Sequence, residues 1–73
     1  MSTPFVVTAN WDAEAGVFVS QSDIPGLVVE AATFEELVEL VGALAPEMIQ
    51  ANLPHVPRPY RVRVETRREL AVA

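Results

Sequence analysis

The chain has 73 residues, no cysteine, one histidine and a formal net charge of −5. That length holds one domain at most, and the missing cysteines exclude disulfides and thiolate metal sites. The acidic balance argues against direct nucleic-acid binding, which needs a basic footprint, and no apolar run approaches the roughly 20 residues of a membrane helix.

The stretch FVVTANW puts Phe5, Val7, Ala9 and Trp11 on one side and Val6, Thr8 and Asn10 on the other. This is period two and predicts a strand. Residues 12 to 16 carry turn formers at both ends, and VFVSQS then alternates again, so the two runs predict a β-hairpin. Asp23-Ile24-Pro25-Gly26 is the next break. Proline presets φ at the first central turn position and glycine accepts φ > 0 at the second, which is type II chemistry. Asp23 is expected to hydrogen-bond amides of its own turn, and LVVEA is expected as a third strand.

Thr33 with Glu36 reads as a capping box opening a helix. Leu37, Val38, Leu40, Val41, Leu44, Ala45, Met48 and Ile49 then recur at spacings of three and four and predict one broad apolar stripe. Pro46 lies inside this pattern. Its i−4 partner is Gly42, which adds no side chain to the crowding, so a kink near residues 42 to 46 is expected rather than a stop. Asn52 is read as the C-cap, with Pro54 forbidding continuation. LPHVPRP is an extended connector. YRVRVET alternates Tyr60, Val62 and Val64 with Arg61, Arg63 and Glu65, a strand with one wet face. ELAVA is read as a short fifth strand or a frayed tail. The fold class is therefore α+β: an antiparallel sheet with one helix packed on one face, in the order β-β-β-α-β, as a single domain over residues 1–73.

Charge divides along the chain. Residues 1 to 52 carry eight acids and no lysine or arginine; residues 53 to 73 carry five arginines against two glutamates. An acidic first part suits a basic partner. Hydrophobic residues make up 51% of the chain, high for a domain that buries only roughly 60% of its unfolded surface. That surplus predicts a homo-oligomer, dimer or tetramer, or another protein partner.

Candidate chemistry is sparse. Asp23 and Glu30 bracket the Pro-Gly turn, but acid/base catalysis needs two close carboxylates with separated pKa values. They are read instead as a turn residue and a solvated strand residue. Asp12 and Glu14 with Asp23 offer oxygens for magnesium, yet the loops carry no supporting polar residues, so no metal site is expected. His55 lies between prolines without a serine, cysteine or histidine companion and is read as exposed filler. Trp11 is read with equal weight as an interface anchor or a core-edge residue. The arginines of the last strand are expected to pair with acids across strands. No catalytic residue or cofactor site is expected, and the chain is read as a non-enzyme.

The segments WDAEA, SDIPGL and EAATFEEL, followed by a helix bearing Pro46, resemble the HicB antitoxin family. They are closer still to a short HicB-like subgroup known as domain of unknown function 1902. The matching positions run from Phe5 to about Asn52, and the last twenty residues are not distinctive. The resemblance implies a partial ribonuclease-H-like fold without its catalytic centre. It also implies a bacterial, cytoplasmic antitoxin that occludes a small basic HicA-type ribonuclease toxin. The N-terminus, with no basic residue ahead of its apolar run, does not read as a signal peptide. Many relatives carry a C-terminal DNA-binding element that is not seen here. The surface expected to meet the toxin comprises Trp11, Asp12, Glu14, Asp23 and Glu30. A stand-alone structural or regulatory homo-oligomer without a toxin is the second expectation.

Overall fold

The computed structural model describes residues 4–67 and 71–73. Two alternating runs form β1 (Phe5–Asp12) and β2 (Val17–Ser22), joined by a tight loop in which Gly16 N donates to Asp12 O at 2.8 Å. Gly16 has φ of 69°, a conformation that only glycine adopts without strain. Asp12 tightens the same loop: its Oδ1 accepts from the amides of Glu14 at 3.1 Å and Ala15 at 3.2 Å.

After β2 the chain turns at Ile24–Pro25–Gly26–Leu27. Leu27 N donates to Ile24 O at 3.2 Å and Gly26 has φ of 80°, the expected type II turn. The expected third strand is shorter than LVVEA: β3 is only Glu30–Ala31. The reason lies in Ser20. Its backbone amide donates to Val29 O at 2.9 Å, while its hydroxyl, not its carbonyl, accepts from Val29 N at 2.8 Å. A side chain thus takes the place of one ladder bond and pairing becomes irregular before Glu30. Ser20 is buried with both partners in place, so no polar group is stranded.

Helix α1 (Phe34–Asn52) starts where the capping signal placed it, with Thr33 as N-cap and its hydroxyl accepting from Glu36 N at 3.1 Å. It runs through Pro46 to Asn52 without a break. Leu53 is the C-cap, not Asn52; Asn52 closes the last turn and donates its side-chain amide to Pro25 O and Met48 O, both at 3.1 Å. The helix end is thereby tied to the type II turn. Strand β4 (Val62–Arg67) follows the proline-rich connector. The expected fifth strand falls partly on residues 68–70, outside the described set, and residues 71–73 carry no regular structure.

The sheet order is β3-β2-β1-β4. The class is α+β as expected, with one correction: the sheet is mixed, not antiparallel. Strands β1, β2 and β3 are antiparallel to their neighbours, but β4 runs parallel to β1, in the register Phe5 with Val62 to Asn10 with Arg67. The helix is the cause. A helix crossing one face carries the chain back to the end of the sheet where the preceding strand began, so the strand after it points the same way as the strand before it. Val7, Ala9, Ile24, Leu27, Val29, Ala31, Leu37, Val41, Ala45 and Ile49 form the buried core between sheet and helix.

Candidate protein-binding surface

Register decides where each candidate residue goes. On β1 the odd residues face the helix and the even ones face away; pairing carries this across the sheet, so the helix-free face holds Val6, Thr8, Asn10 and Asp12, then Val17, Val19, Gln21 and Glu30, and on β4 Arg63, Glu65 and Arg67. Asp12 and Glu30 are the acids of the β1–β3 side of that face; Arg63 and Arg67 lie on the β4 side with Glu65 between them.

Asp12 and Asp23 lie at opposite ends of the β1–β2 ladder. Asp12 pairs with Val17 at the hairpin tip, whereas Asp23 Oδ1 accepts from Val6 N at 3.0 Å. Six residues of strand separate Val6 from Asp12, roughly 20 Å. Glu30 is opposite Val19, four residues along the chain from Asp23, or roughly 13 Å. Those separations keep Asp23 and Glu30 from sharing a proton and keep Asp12 and Asp23 from sharing an ion. Among the described residues no group of three or more metal-ligating side chains forms.

Asp23 also works differently from its expected role. Its own turn is held by Ser22, whose Oγ accepts from Ile24 N at 3.3 Å. Asp23 instead closes the end of the ladder against a residue 17 positions earlier. Both aspartates are thus engaged in backbone bonds, while Glu14 and Glu30 extend from exposed positions.

Trp11 is half-buried on the helix side of the hairpin. Its ring meets Phe18 edge-on at 4.9 Å, and Phe18 meets Phe34 at 6.3 Å, an aromatic chain from hairpin to helix start. Trp11, Asp12 and Glu14 nevertheless line one shallow concavity with Asn10, Val19 and Gln21, curling around the hairpin tip. Glu30 borders it through Val19. Three of the five candidate residues therefore gather at the hairpin tip; Glu30 lies on the same face two strands from β1, and Asp23 is at the opposite end of the ladder. His55 is exposed in the connector.

A second concavity has no counterpart among the sequence-based expectations. A groove of about 420 Å³ runs between α1 and β4, walled by Val38, Gly42 and Pro46 on the helix and Tyr60, Val62 and Val64 on the strand side. Only Leu37, Val41, Ala45 and Ile49 of the predicted stripe are fully buried, with Val38 at 38% and Leu40 at 39% exposure. The signal was present as a stripe wider than one packed face requires.

No helix among the described residues is long and apolar enough to cross a membrane. A family model described as a domain of unknown function (DUF1902) matches residues 4–72. The fold is similar to the crystal structure of a hypothetical protein from the extremely thermophilic bacterium Thermus thermophilus. That likeness has a TM-score of 0.84 at 41% identity and covers 96% of this chain and 100% of the other. No curated protein matches the chain.

Proposed function

This chain belongs to the DUF1902 family, and on that premise we propose that it is a protein-binding module of the HicB antitoxin type that covers a small basic ribonuclease. The observation that carries the reading is the acidic end of the sheet. Asp12 and Glu14 line a concavity that contains the half-buried Trp11 and Val19, and Glu30 borders it as the strand partner of Val19. An apolar centre within a charged rim is the usual anatomy of a protein interface, and acids in this arrangement speed encounter with a basic partner. The action is occlusion, with no catalytic step on this chain. The partial ribonuclease-H-like likeness of HicB proteins belongs to the same reading.

Glu14 and Glu30 are the residues for the test, because Asp12 and Asp23 also hold backbone amides and their loss would disturb the fold. The chain is co-expressed with the product of its adjacent reading frame and examined by size-exclusion chromatography with light scattering. A stoichiometric complex is expected. The Glu14→Lys/Glu30→Lys variant should bind at least about ten-fold more weakly at low salt, with the difference shrinking as salt rises. A missing complex, or one indifferent to both charges, overturns the proposal.

The groove beside β4 favours a second reading, a homo-oligomer without a toxin. An apolar groove on so short a chain is a surface that a second copy can cover.

A further inference from the structure

The sheet has two edges, and they differ. At one edge β3 is two residues long, too short to template another strand. At the other, β4 presents six residues. Arg61 O accepts from Phe5 N at 2.8 Å, so the odd residues of this segment direct their backbone groups toward β1. By strand alternation the amides and carbonyls of Val62, Val64 and Thr66 point to the open side, where no described strand lies.

We infer that β4 pairs antiparallel with β4 of a second copy of this chain, about a two-fold axis at Val64. This specifies the homo-oligomeric reading above and does not depend on what the acidic hairpin binds. Strand overlap and charge together select the register. With the axis at Val64, Arg63 of each copy stands opposite Glu65 of the other, two opposite-charge pairs related by symmetry. Moving the axis to residue 63 sets Arg63 against Arg63 and, although it brings Arg61 opposite Glu65, leaves only residues 62–64 of the strand paired. Moving it to 65 sets Glu65 against Glu65. At residue 62 Arg61 meets Arg63, and at 66 most of the strand overlap is lost. The like-charge approach of Arg61 and Arg67 in the favoured register falls at the two ends of the paired segment, outside the central Arg63 and Glu65 pairs.

Backbone geometry agrees with this choice. Val64 would exchange both of its bonds with its symmetry mate, and Val62 would do so with Thr66, which uses the outward groups of all three residues. Arg63 and Glu65 then form a pair without backbone bonds, the kind in which side chains approach most closely. The same symmetry keeps both helices on one face of a joined sheet. Val64 meets Val64, Val62 meets Thr66, and the two α1–β4 grooves open toward each other across the axis. An apolar surface that one copy leaves uncovered becomes shared lining.

The test is light scattering coupled to size exclusion on the wild type, Arg63→Glu, Glu65→Arg, and a mixture of the two variants, with circular dichroism as the control for folding. Both side chains are exposed, so the fold should survive either change. We expect a wild-type dimer at micromolar concentration. Each variant alone replaces two attractive pairs by two repulsive ones and should raise the dissociation constant about ten-fold or more. The mixture should recover a heterodimer, because Arg63→Glu in one copy then faces Glu65→Arg in the other while the native pair remains on the second side of the axis. An effect within one chain cannot produce that rescue. A monomeric wild type overturns the homo-oligomeric reading together with this inference. An assembly that both variants leave unchanged, or that mixing fails to restore, overturns this interface and leaves the homo-oligomeric reading standing.

Discussion

The two flanks of α1 are made of similar residues and finish differently. Toward β2 and β3, the segment between β2 and the helix folds back as cover: Ile24, Leu27 and Val29 are buried, and Asn52 ties Pro25 to the last helical turn. Gly26 packs on the helix end, where an added Cβ would be in van der Waals contact with Met48 Sδ at 3.4 Å. Toward β4, the helix offers Val38, Gly42 and Pro46, the strand side answers with Tyr60, Val62 and Val64, and a groove of about 420 Å³ lies between. The lesson concerns chain length. A loop of a few residues with a Pro-Gly turn seals the first flank, whereas the proline-rich connector passes the second with Val56 and Tyr60 only half-buried.

Three substitutions probe this difference, and a fourth serves as their counterpoint. The largest effect is expected from Ile24→Ala on the closed flank. It removes a side chain at 2% exposure and should cost about 2–5 kcal/mol in urea unfolding. Val38→Ala on the open flank, at 38% exposure, should cost less than about 1 kcal/mol. Equal losses would mean that the two flanks are packed alike. Between these two falls Gly26→Ala. With φ at 80° the new residue is held in the left-handed region, at a cost of about 1–2 kcal/mol, while its Cβ meets the Met48 sulfur only in ordinary contact. A melting temperature unchanged from wild type would show that the turn is not held as described. The smallest effect, of opposite sign, is expected at Gly42→Ala. Nothing lies within 4 Å of the added Cβ, and replacing a helical glycine should stabilise the fold by roughly 0.5–1 kcal/mol. A loss of stability there would show that the groove is filled.

Much of the fold was legible because its signals are local. Period-two alternation marked β1, β2 and β4 and grouped Val7 and Ala9 on one side of β1, the side that the structure buries. The Pro-Gly pair specified a type II turn because proline and glycine each restrict or permit a particular φ. Thr33 located the start of α1 because a hydroxyl three residues ahead of an exposed amide is a local partner. The candidate surface was partly legible in the same way: Trp11, Asp12 and Glu14 are neighbours in sequence and remain neighbours in space.

The features without a sequence signal are non-local. Asp23 carries no mark that its partner is Val6 N, 17 residues away, rather than its own turn. Ser20 carries none that its hydroxyl will stand in for a strand carbonyl and shorten β3. By itself the sequence determined β1, β2, β4 and the helix, the two sides of each long strand and the N-cap of the helix, since these follow from dihedral preferences and periodicity within a few residues. Only the tertiary structure decided that β4 lies parallel to β1 at an open edge, and that half of the apolar stripe on α1 is incompletely covered. Alternation states which way a side chain points, but strand neighbours and the width of a covered face depend on how the whole chain crosses the sheet.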